Sequence, residues 1–171
     1  MKLLELIVLK KCDFKMCFVE AKTFFQEIEN IMRLMMEEQE IDLIVEVESG
    51  KLYIEPDLMK IVCLNLLDNA RKACNQNGKV YLIGKALSTG YQIIVKDNGC
   101  GIATEELSKI KEAFYMVDKS RSRSAGGAGL GLALCEQIVE LHHASISFES
   151  VLKQGTIVMV ELKGIEENET K

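Results

Sequence analysis

Long hydrophobic runs are missing from this sequence. The best apolar stretches, "LLELIVL" and "KIVCLNLL", are short and broken by polar residues, well under the roughly 20 residues a membrane helix needs. The N-terminal "MKLLELIVLKK" has a basic start like a leader peptide. Glu5 interrupts it and no small-residue cleavage site follows, so it reads as the end of a helix. Also missing is a CxxC pair. The six cysteines (12, 17, 63, 74, 100 and 135) show no metal-ligand rhythm with the two histidines, which points to free thiols in a reducing, cytoplasmic setting. An excess of positive charge is missing too. The formal net charge of -5 argues against nucleic acid as a partner, because phosphate backbones demand a basic surface. There is no internal repeat and no low-complexity segment.

What is present suits one globular domain. The chain has 171 residues, 48% hydrophobic and 27% charged, enough for a sizeable core. Charge is uneven. The segment from Lys109 to Arg123 is locally basic, and "EENETK" closes the chain as an acidic tail. A local basic segment in an acidic protein can still meet one small anion.

Periodicity sets the elements. Phe24, Ile28, Ile31 and Met35 form a helical stripe within 21–38. "IDLIVEVE" alternates as a strand. The single proline, Pro56, opens a helix over about 56–75, at the N-terminal position prolines prefer. "KVYLIGKAL" and "YQIIVKD" make a hairpin around "STG". A short helix follows near "TEELSKI", then a long loop, "YMVDKSRSRSAGG". "GLGLALCEQIVELHH" is a helix with Leu130, Leu134, Ile138 and Leu141 on one face. "ASISFES" and "TIVMVEL" are the last two strands, joined at Lys153-Gln154-Gly155. This layout predicts an α/β two-layer sandwich, a mixed sheet with helices packed against it.

Three features stand out. In the helix "PDLMKIVCLNLLDNARKAC", Met59, Val62, Cys63, Leu66, Leu67, Ala70 and Ala73 share an apolar arc, while Asn65, Asn69 and Lys72 line a narrow polar stripe. An amide oxygen is a hard ligand for Mg²⁺ and an ammonium meets phosphate, although a plain solvated face has the same look. In "VKDNGCGI", Asp97 ends a strand and offers acceptor oxygens only. Gly99 and Gly101 then allow a close approach to the backbone, by a flat ligand or simply by a turn. A carboxylate beside a flat cleft can accept a hydrogen bond from an exocyclic amine such as that of adenine. Finally, "SAGGAGLGLAL" feeds a helix N-terminus with glycines, a place for an anion. Its spacing is neither the dinucleotide fingerprint nor a Walker A loop.

Taken in order, these motifs resemble the ATP-binding catalytic domain of sensor histidine kinases, within the GHKL superfamily. "NLLDNARKA" is similar to the family's N box, "DNGCGI" to its G1 box, and "EAFYMVDKSRSR" to the F box and the opening of the ATP lid. "GGAGLGLALCEQIVELH" is similar to the G2 box and "GTIVMVEL" to the closing strand. The match covers about Phe18 to Leu162. It implies a mixed five-stranded sheet layered on about three helices, with ATP between the helical layer and a mobile lid.

By this resemblance, Asp97 receives the adenine amine, while Gly99, Gly101 and Ile102 form the pocket wall and Thr156 supports the Asp. Asn69 would ligate Mg²⁺, with Asn65 and Lys72 lining the phosphate region. Phe114 would belong to the lid hinge and Lys119, Arg121 and Arg123 to the basic lid. Gly127, Gly129, Leu130, Gly131 and Leu132 would form the lid-to-helix turn around the phosphates. Cys100, between two of the wall glycines, would be partly exposed. The cofactors implied are ATP and Mg²⁺, with ADP as product.

There are departures. His143-Ala144 stands where the family usually has Gly-Gly, and the F box keeps one of its two phenylalanines, with Ile110 near the other position. No phosphoacceptor box occurs. His142 and His143 end the G2 helix, where a histidine suits the helix dipole. Residues 1–17 would then be the end of a dimerisation helix and linker, 18–163 the catalytic domain, and 164–171 a tail. The partners implied are a histidine-bearing dimerisation domain and, through it, a response regulator. The fragment itself would be a monomer without membrane contact. Three other readings stay open: a stand-alone anti-sigma serine kinase, an ATP-driven clamp, and a non-catalytic nucleotide module. The clamps place a general-base Glu one turn before the Mg²⁺ Asn. Here Asn65 holds that place, and it cannot take up a proton usefully.

Overall fold

A computed structural model describes residues 14–107 and 131–164. The elements run β1 (Cys17–Glu20), α1 (Ala21–Glu37), β2 (Asp42–Val47), β3 (Lys51–Ile54), α2 (Pro56–Ala73), β4 (Lys79–Leu87), β5 (Gly90–Asp97), α3 (Thr104–Leu107), α4 (Gly131–Leu141), β6 (Ser145–Val151) and β7 (Gly155–Lys163). Five strands form one mixed sheet in the order β2-β4-β5-β7-β6. Its β2–β4 pair is parallel and the other pairs are antiparallel. The long helices α1, α2 and α4 cover one face, the two-layer sandwich expected. Among the described residues, no helix is long and apolar enough to cross a membrane.

Period-2 alternation decides what the helical layer touches. On β5, Tyr91, Ile93 and Val95 are buried under it, and on β7 Val158, Val160 and Leu162 are. The same phase carries Asp97 and Thr156 to the core side at the sheet's end, both buried. A carboxylate therefore terminates an apolar row, for the same geometric reason that buries Val95.

The helices meet this face with Phe24, Phe25, Ile28, Met32 and Met36 from α1, with Met59, Val62, Leu66 and Leu67 from α2, and with Leu134 and Ile138 from α4. The stripe expected on α1 is rotated. Ile31 and Met35 are 48% and 41% exposed, and Phe25, Met32 and Met36 take the inward positions. The helix carries too many apolar residues for spacing alone to say which arc faces in. On α4, Leu141 is exposed, and Cys135 and Val139 are buried instead.

Pro56 is at the start of α2 as predicted, and the Glu55 carboxylate accepts the Leu58 N–H at 2.6 Å, closing one otherwise unpaired donor. A second sheet, the antiparallel pair β1–β3, had no counterpart in the sequence reading. Its strands have four residues each, too short for alternation to register. Cys17–Glu20 is thus strand.

Candidate nucleotide site

Asp97 is the best-anchored polar group at the C-terminal end of β5. Its Oδ1 accepts the Gly99 N–H at 2.8 Å and the Thr156 N–H at 3.3 Å. Both donors meet the same oxygen, which leaves Oδ2 without a hydrogen bond among the described residues. Burial pushes the carboxyl above its usual range, and the two N–H donors pull it back. The result is one committed oxygen and one acceptor with spare capacity, in a 6% exposed side chain at the sheet's edge.

Thr156 supports Asp97 through its backbone. Its hydroxyl lies 2.9 Å from Ser150 Oγ. Ser150 also accepts the Ile102 N–H at 2.8 Å and donates to the Gly155 carbonyl at 3.0 Å. One proton arrangement satisfies all of this: Thr156 donates to Ser150, and Ser150 donates to Gly155. Ser150 thus ties the loop after β5 to the β6–β7 turn. Sequence reasoning missed it, because a serine on an alternating strand carries no motif signal.

The two loop glycines have a structural cause. Gly101 has φ +64, and a Cβ there would stand 2.1 Å from the Val151 carbonyl oxygen. A Cβ on Gly99 would stand 2.5 Å from the Ala73 carbonyl oxygen at the end of α2. The close approach expected at these positions is therefore made by the chain's own backbone, and two further bonds hold it: Cys100 N–H to Ala73 O at 3.0 Å and Lys153 N–H to Cys100 O at 2.7 Å. Ile102 is half-buried beside them.

Asn65, Asn69 and Lys72 do share a face of α2, but their surroundings differ. Asn65 is half-buried, and its Nδ2 donates to the Ile61 carbonyl at 2.9 Å, one turn back. Asn69 is exposed, and its amide has no hydrogen-bond partner among the described residues. Its oxygen is therefore available to a hard cation, which fits the implied Mg²⁺. The Lys72 ammonium is 2.7 Å from Asp68, which also takes Arg71 at 2.7 Å. Burial would raise the Asp68 carboxyl, but its bonds to Lys72 and Arg71 hold it below the usual range. The sequence reading treated Lys72 as open to phosphate and overlooked this i,i+4 partner.

Gly131 is buried at the first position of α4, and Leu132 follows half-buried. Phe114, Lys119, Arg121, Arg123, Gly127, Gly129 and Leu130 lie outside the described residues.

His142 is a structural histidine. It is buried, with Nδ1 donating to the Ile138 carbonyl at 2.7 Å and Nε2 accepting the Glu55 N–H at 3.0 Å. Burial lowers its pKa against the pull of those bonds. The ring is therefore neutral and joins the end of α4 to the start of α2, rather than acting as a cation on the helix dipole. With both nitrogens committed, it has no lone pair to offer as a nucleophile. His143, next to it, is exposed with φ 52.

A buried carboxylate with one free oxygen beside a helix face carrying a free amide can hold a ligand that has an amine at one end and a metal-bound anion at the other. Residues 54–165, more than half the chain, match the family described as Histidine kinase-, DNA gyrase B-, and HSP90-like ATPase. The sensor protein kinase WalK of Staphylococcus saprophyticus is 37% identical over 148 residues, which is 84% of this chain and 24% of WalK. The sensor protein CiaH of Streptococcus pneumoniae is 38% identical over 105 residues, 61% of this chain and 24% of CiaH. The chain thus spans about a quarter of the length of these relatives. The catalytic domain of histidine kinase ThkA superposes with a TM-score of 0.76 at 24% identity, over 87% of this chain and 95% of that one. ThkA in complex with the response regulator protein TrrA superposes at 0.79 and 21% identity, over 99% and 48%. The chain belongs to the histidine kinase-, DNA gyrase B- and HSP90-like ATPase family, as an ATP-binding domain of the kind that sensor histidine kinases carry.

Proposed function

We propose that this domain binds Mg-ATP and gives the γ-phosphate to a histidine on a separate dimerisation domain, as the donor half of a two-component kinase. Residues 18–163 would be the catalytic unit, 1–17 its lead from the dimerisation domain and 164–171 a tail. A response regulator would be the final acceptor, and the cytoplasm the working compartment. The observation that carries the reading is the split of Asp97: Oδ1 is held by two backbone donors, and Oδ2 is left for an adenine amine. ADP would leave by the same contacts.

Asn69 would hold Mg²⁺, whose charge stabilises the transferring phosphoryl group. The chain's own residues orient and neutralise: Asp97 fixes the adenine end, the α2 face sets the distance to the phosphates, and Lys72 shares its charge between Asp68 and the anion. Neither Asn65 nor Asn69 is a base, and the neighbouring Asp68 carboxylate is committed to Lys72 and Arg71, so the position one turn before Asn69 offers no group to activate water. A partner imidazole needs none, since its neutral nitrogen is already a nucleophile. His142, with both nitrogens bonded, is excluded as acceptor.

The test is incubation with γ-labelled ATP, with and without a dimerisation domain, followed by acid treatment. Acid-labile label on the partner histidine is expected, with none on His142 and slow phosphate release without partner. In Asn69→Ala the transfer rate should fall by about 10²-fold or more, because a misplaced phosphate alone costs that much. Acid-stable label on serine, or fast phosphate release with no labelled protein, would overturn the proposal.

A further inference from the structure

Two cysteines flank the contact between the end of α2 and the loop after β5. Cys74 directly follows α2 and is half-buried, and Cys100 is exposed between Gly99 and Gly101. The Cys100 N–H donates to the carbonyl of Ala73, the residue before Cys74, at 3.0 Å. The two backbones touch, since a Cβ on Gly99 would already overlap that carbonyl. α-Carbons on either side of one such hydrogen bond fall inside the span of about 4–7 Å that a disulfide bridges. The Cys74 thiol also faces the loop, 3.7 Å from Asn98 Oδ1, two residues before Cys100.

We propose that Cys74 and Cys100 are a reversible dithiol pair, a modification site at the rim of the nucleotide end that closes to an intramolecular disulfide under peroxide. This assignment is independent of the phosphotransfer reading.

The two thiols have different environments, and these set their roles. Cys100 is open to solvent and meets the oxidant. Burial, then the Asp97 charge and, more weakly, the charge on Cys100 push the Cys74 thiol up to about 11, so it is mostly protonated at neutral pH and is left to attack the oxidised partner sulfur. In the first step the Cys100 thiolate attacks one oxygen of the peroxide. The O–O bond breaks, Cys100 becomes a sulfenic acid, and hydroxide leaves and takes a proton to become water. In the second step Cys74 gives its proton to solvent and its sulfur attacks the sulfenic sulfur. The S–O bond breaks, hydroxide leaves and is protonated to water, and the S–S bond is formed. Two thiols and one peroxide give one disulfide and two waters. The other close pair, Cys63 and Cys135, is fully buried, out of reach of the oxidant.

The experiment treats the reduced full chain with hydrogen peroxide, alkylates the remaining thiols, digests without reductant and maps the peptides by mass. The expected product joins the Cys74 and Cys100 peptides, lighter by two hydrogens and separated by dithiothreitol. Cys74→Ser should lose the bridge and leave a sulfenic acid on Cys100 that dimedone traps. Cys17→Ser should leave the bridge unchanged. Cys100 running on to sulfinic acid in the wild type, pairing with any other cysteine or a second chain, or staying a thiol while others oxidise would each overturn the assignment.

Discussion

The two ends of the candidate site are wired differently. Around Asp97, the bonds join segments far apart in the chain: β5 to β7 through Thr156, the loop to β6 through Ser150, and the loop to α2 through Ala73. Around Asn69 on α2, the side-chain bonds of Asn65, Asp68, Arg71 and Lys72 stay within the helix: Asn65 to Ile61, and Lys72 and Arg71 to Asp68. The first end is fixed by folding itself. The second has a free amide and a cation held only by a neighbour four residues away, and it is free to rearrange around a ligand. A nucleotide would dock on the preformed end and organise the other.

The largest effect should come from breaking the wiring of the first end. Gly101→Ala puts a non-glycine residue at φ +64 with its Cβ overlapping the Val151 carbonyl. We expect a loss of about 3 kcal/mol of unfolding free energy, the upper end for such backbone strain, measured by urea denaturation. An unchanged midpoint would mean that the β6–β7 turn yields easily and the end is not rigid.

Next is Asp97→Asn. Its oxygen can keep the Gly99 and Thr156 donors, but its NH₂ then faces the adenine amine, donor against donor. Affinity for ATP should drop by about 10- to 100-fold, the range for losing a hydrogen bond to a charged group, with the melting temperature little changed. Titration calorimetry reads the first and a thermal melt the second. Normal binding would move the adenine end elsewhere.

His142 gives a long-range tie with a pH signature. Its folded pKa lies below the ordinary value of about 6.5, so the unfolded chain takes up a proton that the folded chain resists. Its stabilising contribution is present above pH of about 6.5 and is lost as pH falls below it. The wild type should lose stability between pH 7 and 5 more steeply than His142→Gln, as thermal melts across that range would read. Parallel slopes would contradict the neutral ring.

The smallest effect belongs to the local pairs. Lys72→Ala removes one i,i+4 ion pair at a site about one-third exposed, worth no more than about 0.5 kcal/mol of stability. Its effect on ATP affinity should be the larger of the two. A variant that is clearly destabilised yet binds ATP as well as the wild type would assign Lys72 a structural role only.

The sequence by itself determined the order of elements. Alternation marked β2 and β4–β7, Pro56 marked the start of α2, and the motifs marked Asp97 and the Asn69 face. These are local patterns, and local patterns are what period and turn chemistry record. Strand phase also carries Asp97 and Thr156 to the buried face along with Val95 and Val158, a consequence the sequence reading did not draw. Only the tertiary structure decided which arc of α1 points inward, since Ile31 and Met32 are equally apolar and packing alone separates them. Tertiary structure also decided why Gly99 and Gly101 are glycines, because the carbonyls they avoid belong to Ala73 and Val151. The same holds for Ser150 and His142. Their partners lie 48 and 87 residues away, and a contact between distant segments leaves no period in the sequence for a reader to find.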